Sequence, residues 1–374
     1  MARNANLQKA QDERNDEFYT LIGDIEEEVS HYPGQFRDKR VLCNCDDPDT
    51  SMFVRFFKEN FSSLGLRSLA STHYVPGGSS FAYVFDGKAE RRVPIAGDGD
   101  FRSAVCLDYL DASDVVVTNP PFSLFRDFVE VLVSHGKEFL IVGNKNALTF
   151  KETFAHLMAD RLWVGYRPMG KDMLFDVPEK VAEDMVRDGK EWSQYRIVDG
   201  KVYGRAAACW FTNMTHGKRN RPLKLDGNRY SPEKYPRYDN YGAVEVGKVS
   251  EIPGDYAGIM GVPVTFLDKY CPAQFEIVGM DEAHGKGHSH GLWEGGKRKA
   301  VVGDKAMYAR VFIRKKSSFC CLRRGPRVIP GAPLLIPPGM AGGMPRGFPT
   351  WNTGKQKSLN KETQSWTTLN CKRQ

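Results

Sequence analysis

The sequence predicts an α/β fold, with a mostly parallel sheet flanked by helices and a smaller basic region after it. One observation behind this prediction is the pattern between Arg40 and Asn144, where short β-rich runs alternate with stretches of helical periodicity. Such alternation is typical of parallel strands that are joined by helices. The length of 374 residues and 41% hydrophobic content are sufficient for a substantial core.

The second observation is an uneven charge distribution behind the net charge of +7. Residues 1–200 carry 24 Lys and Arg against 33 Asp and Glu, whereas residues 201–317 carry 20 against 12. Residues 318–374 carry 9 against 1. An acidic part followed by a basic part favours a catalytic domain joined to a polyanion-binding region, although a solvated basic face has the same charge balance.

The elements of the first part follow one another without long gaps. Strands are predicted at 40–45, 66–73, 114–118 and 138–143, helices at 51–64 and 124–135, and a hairpin through 81–93. The helix at 51–64 has phenylalanines on one broad stripe, which predicts core packing. Beyond Thr149 the regularity declines, although Ala208–Thr212 still resembles a strand.

We therefore divide the chain into residues 1–38, an amino-terminal segment; 39–150, the α/β core; 151–317, further core elements with the basic region; and 318–374, a Pro/Gly-rich tail. The tail has little periodicity and is expected to be disordered or weakly packed. These boundaries follow composition and periodicity only.

Several classes of protein are excluded by composition. No apolar run approaches the roughly 20 residues needed to cross a bilayer, and the polar start is unlike a signal sequence, so we expect a cytoplasmic protein, favoured as a monomer. The eight cysteines form no CxxC pair and are expected to be reduced. His284, His288 and His290 come nearest to a metal-binding pattern, but their glycine and lysine neighbours favour a mobile loop, so we expect no metal.

The strongest motif is Asn119-Pro120-Pro121-Phe122, which directly follows three valines. In isolation it could be an ordinary turn. After a buried parallel strand, however, the loop would lie at the carboxyl edge of the sheet, where α/β proteins bind ligands.

This tetrapeptide suits alkylation of an amino nitrogen on a nucleobase. The Asn119 side-chain oxygen and the Pro120 carbonyl can each accept one amino hydrogen and so direct the nitrogen lone pair at a methyl donor. Pro120 and Pro121 stiffen the loop. Phe122 offers a face on which an extruded base can stack, a contact worth about 1–3 kcal/mol.

An ordered set of segments resembles the EcoRI-type adenine-specific DNA methyltransferases, within the Rossmann-like methyltransferases that carry an (N/D)PP(Y/F) motif. The segments are residues 16–20 (DEFYT), 41–48 (VLCNCDDP), 97–103 (GDGDFRS), 115–128, 139–146 (FLIVGNKN) and 261–270 (GVPVTFLDKY). They span most of residues 12–315. The resemblance implies a Rossmann-like fold, S-adenosylmethionine as cofactor and double-stranded DNA as substrate. It also implies a flipped-out adenine as target and a cognate restriction endonuclease as functional counterpart, not as a bound partner.

The resemblance also implies the cofactor contacts. The expected residues are Phe18, Tyr19 and Thr20 at the methionine end, and Cys45, Asp46, Asp47 and Pro48 beneath the cofactor. The second group departs from the wider class, because it lacks the glycine-containing turn after the first strand. Asp46 or Asp47 could bind the cofactor, or could equally cap the following helix.

Asp98 occupies the position where the resemblance places an acidic contact to the cofactor's adenine, and we prefer it to Asp100. The alternative for Asp98 is a tight, solvent-exposed turn, which its two neighbouring glycines favour.

DNA contacts are expected from the basic region. The candidates are Lys218, Arg219, Arg221, Lys224, Arg229 and Arg237, with Lys297-Arg298-Lys299 as a second cluster. The tyrosines between 229 and 241 could contact DNA or pack a small β core. Two other functions stay open at this point: an amino-methyltransferase that acts on RNA or on protein, and an inactive DNA-binding relative.

Overall fold

The computed structural model describes residues 19–171 and 173–316 of the chain. Phe18 and the predicted tail 318–374 lie outside the described residues. Within them the helices are α1 Ile22–Val29, α2 Met52–Glu59, α3 Phe61–Leu64, α4 Ala104–Ala112, α5 Phe125–Ser134, α6 Lys151–Met158 and α7 Glu179–Arg187. The strands are β1 Tyr19–Thr20, β2 Arg40–Asn44, β3 Ser68–Thr72, β4 Phe81–Phe85, β5 Glu90–Pro94, β6 Val115–Thr118, β7 Glu138–Asn144, β8 Trp163–Val164, β9 Met173–Asp176, β10 Tyr195–Val198, β11 Lys201–Ala206, β12 Ala208–Thr212, β13 Val244–Glu245, β14 Met260–Pro263, β15 Phe275–Met280, β16 Val301–Val302, β17 Lys305–Ala306 and β18 Arg310–Lys315.

The main sheet has eight strands in the order β5-β4-β3-β2-β6-β7-β12-β8. Its four central strands, β3, β2, β6 and β7, are parallel. The outer pairings are all antiparallel. The fold is thus mixed α/β, and the prediction of a mostly parallel sheet holds for the centre only. The short loop between β4 and β5 permits only antiparallel pairing, and β12 runs back along β7.

The predicted elements lie close to their expected bounds. The strands expected at 114–118 and 138–143 are β6 and β7. The single helix expected at 51–64 is instead two helices, because Asn60 ends α2 and its Nδ2 donates to the Phe56 carbonyl at 3.0 Å. Side-chain bonding of this kind competes with the helical hydrogen-bond ladder.

Hydrophobic side chains cover both faces of the central strands. Along β6, Val116 packs into one core cluster with Ile141, whereas Val115 and Val117 pack into another. All three valines are fully buried, as expected for a parallel strand between two layers. The phenylalanines of α2 lie in the second cluster, so the prediction that they pack the core is confirmed.

Elements beyond residue 150 pack onto the same core. The predicted strand Ala208–Thr212 is found as β12, which completes the main sheet between β7 and β8. Residues of β14, β15 and β18 share a core cluster with Leu42 and Val116. Those strands form a second sheet in the order β13-β14-β18-β15, and a third sheet has the order β1-β9-β11-β10. The boundaries after residues 38, 150 and 317 stay predictions.

Five of the eight cysteines lie within the described residues, and the expectation of reduced thiols stays a prediction. The free cysteines there are Cys43, Cys45, Cys106, Cys209 and Cys271. No helix in this part of the chain is long and apolar enough to span a membrane. Nor does this part bring together three His, Cys, Asp or Glu side chains as metal ligands.

Acid should destabilise the protein through His216, a buried histidine whose Nε2 lies 3.0 Å from the Val164 carbonyl oxygen. Burial lowers the pKa of His216 to about 4, from an ordinary value of about 6.5. Between these values the unfolded chain binds a proton that the folded chain excludes. The contribution of the neutral histidine to the free energy of unfolding is therefore complete above about pH 6.5, and it is lost as the pH falls towards about 4.

Acidification should lower the free energy of unfolding less in His216→Gln, which keeps a donor for Val164, than in the wild type. We expect the difference to be on the order of 2 kcal/mol. Urea unfolding at neutral pH and near pH 4.5 measures it. His290→Gln, at an exposed histidine, is the control and should leave the loss unchanged. Equal acid sensitivity of wild type and His216→Gln would contradict the prediction.

Candidate active site

A cavity of about 430 Å³ opens at the carboxyl ends of β2, β3 and β6. The loops after these three parallel strands each contribute to its wall, and β1 contributes from the third sheet. The lining residues are Tyr19, Thr20, Cys45, Asp46, Asp47, Thr50, Ser51, Met52, Phe53, His73, Tyr74, Gly99, Asp100, Phe101, Arg102, Asn119, Pro121 and Leu124. Open α/β sheets bind ligands at this edge, and the volume lies in the range of small-molecule sites.

Asp46 joins the three strand ends at the cavity. Its amide donates to the Thr72 carbonyl at 3.0 Å, which connects the ends of β2 and β3. Its Oδ1 accepts from Ser51 Oγ at 2.7 Å, and its Oδ2 accepts from Thr118 Oγ1 at 2.5 Å. The residue is 9% exposed. Asp46 therefore holds the loop in place as well as presenting a carboxylate to the cavity.

The loop between β2 and α2 turns without a glycine. Cys45 has a φ of +73°, a left-handed conformation that glycine normally occupies. Ser51 then caps α2 by accepting from two backbone amides at 3.1 and 3.3 Å. The alternative prediction that Asp46 or Asp47 caps this helix is therefore wrong, because the cap position is five or four residues further along the chain.

Asp47 lines the cavity, whereas Pro48 is not among its lining residues. Asp47 Oδ1 accepts from the Asp49 amide at 2.9 Å. The Asp49 carboxylate in turn pairs with Arg92 of β5, and the Arg92 guanidinium lies over the Phe81 ring at 4.8 Å. The hairpin of β4 and β5 thus supports the loop from outside.

Asp100, and not Asp98, lines the cavity. Asp98 Oδ1 accepts from the Asp100 amide at 3.1 Å, as in the tight turn that is the alternative prediction for it. Arg102 donates to both Asp100 oxygens, at 3.0 and 2.7 Å. This hydrogen bonding lowers the pKa of the Asp100 carboxyl, so the cavity wall contains an ionised carboxylate that is paired with Arg102. A cofactor contact from Asp98 stays a prediction.

Gly99 lets this loop pass against the end of β3. A Cβ at Gly99 would lie 2.0 Å from the His73 carbonyl oxygen and 2.6 Å from Ser80 Oγ, and the residue has a φ of +82°. We expect Gly99→Ala to lower the free energy of unfolding by about 2–5 kcal/mol, because a left-handed backbone and an overlap both act against the alanine. Urea unfolding measures the loss.

Gly97→Ala separates these two causes. Gly97 also has a positive φ, of +95°, but beyond its two chain neighbours no described atom lies within 4 Å of its added Cβ. This control should lose only about 1–2 kcal/mol. Equal losses for the two variants would show that the overlap at Gly99 is unimportant.

Two polar atoms in residues of the cavity wall have unused hydrogen-bonding capacity. Thr20 Oγ1 and His73 Nδ1 are buried and have no partner among the described residues. Buried polar atoms normally have partners, so these atoms favour a ligand that supplies them. Thr20 is a predicted site residue, but sequence reasoning does not single out His73. The available signal is a polar residue placed directly after a fully buried strand at the ligand-binding edge.

The Asn119–Phe122 loop lies where it is predicted, directly after the buried parallel strand β6. Asn119 and Pro121 line the cavity. Pro120 is buried, and Phe122 begins a short 3-10 helix, where it packs against the second core cluster. Pro120 and Phe122 are not among the lining residues.

Two predicted DNA-contacting residues are engaged within the protein. Lys218 Nζ lies 2.5 Å from Asp268 Oδ1. Arg219 is buried, pairs with Asp160 and lies 3.4 Å over the Trp163 ring. Charges held in this way are less available to an external phosphate.

The other four, Arg221, Lys224, Arg229 and Arg237, are exposed. The neighbouring tyrosines differ from them. Tyr235, Tyr238 and Tyr241 are at most 5% exposed, so for these three the alternative of core packing is confirmed.

Comparison with known proteins identifies the family. A family model described as adenine-specific methyltransferase EcoRI matches residues 6–316. The chain is similar to Type II methyltransferase M.EcoRI of Escherichia coli, with 36% identity over 343 residues, which cover 84% of this chain and 99% of the relative. It is also similar to Type II methyltransferase M.MpnI of Mycoplasma pneumoniae, with 41% identity over 272 residues, or 72% of this chain and 84% of the relative.

A third relative, Type II methyltransferase M.MgeORF184P of Mycoplasma genitalium, is 38% identical over 272 residues, with the same coverage of 72% and 84%. No solved structure matches the chain. The family match includes all the loops that form the cavity, from β1 to the residues after β6. The chain therefore belongs to the adenine-specific EcoRI methyltransferase family and is a DNA adenine methyltransferase.

Proposed function

We propose that the cavity binds S-adenosylmethionine as the methyl donor, beside Asn119. The residues present fit this molecule. The carboxylate of Asp47 suits a ligand with a sulfonium cation and an ammonium group. The unpartnered atoms of Thr20 and His73 suit its hydroxyl, amino and carboxylate groups. When bound, the donor supplies an electrophilic methyl group.

The donor contacts follow the predicted segments. Phe18, Tyr19 and Thr20 are proposed for the methionine end, and residues 45–48 for the surface beneath the donor. Asp98 is proposed as an acceptor for the amino group of the donor's adenine, and we extend this role to Asp100. The position of Asp100 in the cavity wall, with an ionised carboxyl held by Arg102, supports the extension.

Asn119 and Pro120 are proposed to accept the two hydrogens of the target amino group. This arrangement draws the nitrogen towards tetrahedral geometry and turns its lone pair to the methyl group. Pro121 restricts the loop, and Phe122 is proposed to stack on the flipped adenine. No strong base is needed before attack, since the methylated nitrogen is cationic and loses a proton to water.

Arg221, Lys224, Arg229 and Arg237 are proposed to bind duplex DNA. Their exposure supports this role, and neutralisation of phosphates supplies affinity that depends on salt. We expect Lys218 and Arg219 to contribute less to DNA binding than these four residues, because both are paired within the protein.

We infer that methylation protects DNA from a cognate restriction endonuclease that recognises the same site. The Type II methyltransferase relatives support this biological role. The endonuclease is a functional counterpart in this proposal and is not part of a complex.

The observation that carries the proposal is that Asn119 and the acidic loops share one cavity at the carboxyl edge of the sheet. Incubation with methyl-labelled S-adenosylmethionine and duplex DNA, followed by digestion to nucleosides, tests it. We expect the label on the amino nitrogen of adenine. Parallel incubations with RNA and protein should remain unlabelled, and a label on RNA alone would overturn the assignment. Calorimetry should show donor binding to the protein without DNA.

A further inference from the structure

A basic strap, defined as Lys297, Arg298 and Lys299, lies directly before the two-stranded hairpin of β16 and β17. All three side chains are exposed. Among the described residues, no carboxylate lies within ion-pairing distance of any of them. Glu282 is close enough to Arg298 to interact electrostatically, but its oxygens accept hydrogen bonds from Ser289 and from the Gly287 amide.

The backbone of the basic strap is anchored from inside the protein. Asn240 Nδ2 donates to the carbonyls of Lys297 and Lys299 at 2.5 and 2.8 Å. Tyr241 Oη donates to the carbonyl of Arg298, which lies between them, at 2.5 Å. Asn240 and Tyr241 are only 7% and 1% exposed. Three consecutive carbonyls are thus held by two buried side chains.

This anchoring has an energetic consequence. Three adjacent cations repel one another, and a mobile loop would reduce the repulsion by moving apart. Here the buried donors hold the backbone of the strap while its charges remain exposed. A site built in this way loses little conformational freedom when it binds a polyanion, which favours binding.

Two exposed side chains of the adjoining hairpin, Tyr308 and Lys305, lie close to the strap in the chain. The Met307 amide donates to the Ala300 carbonyl at 2.8 Å, so the next position, Tyr308, lies across from Lys299. Tyr308 is 62% exposed. Lys305 of β17 is also exposed. Tyr308 therefore lies beside the strap, whereas Lys305, which pairs with Val302, lies on the other face of the hairpin because side chains alternate along a strand.

We propose that the basic strap binds backbone phosphates of the duplex DNA whose adenine is methylated at Asn119. This inference rests on the proposed function. Phosphate is the favoured target over base edges, because lysine ammonium groups are point charges that carry little geometric information. The strap thus supplies affinity and orientation for any DNA sequence, and Asn240 and Tyr241 act as positioning residues.

The test combines Lys297→Ala, Arg298→Ala and Lys299→Ala in the full-length protein. The backbone anchors remain, so thermal unfolding should match that of the wild type. Binding to duplex DNA should weaken about 10- to 100-fold near 0.1 M salt, for cognate and unrelated sequences alike. The slope of log affinity against log salt should become shallower by about 2–3, which is roughly 0.9 for each lost phosphate contact.

A matched control removes the same charge elsewhere, by combining Lys88→Ala, Lys180→Ala and Lys190→Ala at exposed lysines. It should retain wild-type affinity and slope. Wild-type affinity in the strap variant would overturn the proposal, and so would a loss confined to the cognate sequence. The same experiments distinguish this proposal from the proposed function. If the proposed function is wrong, the wild-type protein itself will not transfer a methyl group to DNA. In the strap variant, methyl transfer should recover at saturating DNA.

Discussion

Asn119→Ala should lower the rate of methyl transfer to DNA by at least about 10²–10³-fold, the loss usual when a pre-organised polar group at a reacting centre is removed. The reason is geometric. Asn119 directly follows the buried strand β6 and lines the cavity, and alanine provides no acceptor for the amino hydrogen of adenine. Donor binding should change by less than about threefold, because the removed group is proposed to act on the target base and not on the donor.

Single-turnover transfer from labelled S-adenosylmethionine measures the rate, and calorimetry measures donor binding. Asn119→Asp is a conservative variant that keeps an oxygen acceptor, so it should retain more activity than Asn119→Ala. Ser123→Ala, in the adjoining 3-10 helix, is the control and should remain active. Undiminished methyl transfer by Asn119→Ala would show that Asn119 is not a catalytic residue.

Glu28→Ala should lower the free energy of unfolding by about 3–5 kcal/mol, as expected when a buried, hydrogen-bonded carboxylate is removed. Glu28 is fully buried in α1. Its Oε1 accepts from Tyr32 Oη at 2.8 Å and from the Tyr166 amide at 2.6 Å, and its Oε2 accepts from the Arg167 amide at 2.8 Å. Alanine would leave three donors without an acceptor, two of them in buried hydrogen bonds.

Glu28→Ala should also weaken donor binding in the cavity. The carboxylate joins α1 to residues 165–167, and α1 directly follows β1, which contributes Tyr19 and Thr20 to the cavity wall. We therefore expect donor affinity to fall along with stability. Loss of stability with unchanged donor binding would contradict this link.

Urea unfolding at neutral pH measures the stability change at Glu28. Glu28→Gln keeps the shape and one oxygen acceptor, so its loss should be smaller, about 1–3 kcal/mol. Glu26→Ala lies on the same helix at an exposed position and should change stability by less than about 0.5 kcal/mol. A Glu28→Ala protein as stable as the Glu26→Ala protein would refute the role of the buried carboxylate.

Local pattern was sufficient to predict the parallel strands β2, β3, β6 and β7, but β1 and α4 were not among the predicted elements. Three consecutive valines before Asn119 indicated a strand buried on both faces, and β6 is such a strand. The expected position of the Asn119 loop followed from that strand, because loops at the carboxyl ends of parallel strands meet at one edge. Periodicity also identified the phenylalanines of α2 as core residues. These inferences depend only on neighbours in sequence, which is why they hold.

Pairing at the edges of the sheet could not be predicted in the same way. β12 lies beside β7 although more than 60 residues separate them along the chain. Its antiparallel direction depends on how the intervening chain returns to the sheet. Strand direction of this kind is a property of long-range packing and leaves no local signal.

The sequence by itself determined the family and the edge of the sheet at which the Asn119-Pro120-Pro121-Phe122 loop lies. Only the tertiary structure decided which polar side chains meet there. It brought His73 and Asp100 into the cavity wall, paired Lys218 and Arg219 inside the protein, and anchored the basic strap on Asn240 and Tyr241. Residue type and spacing determine what a side chain can do, but its partners come from distant parts of the chain. Burial and pairing with those partners decide which charges remain free to act.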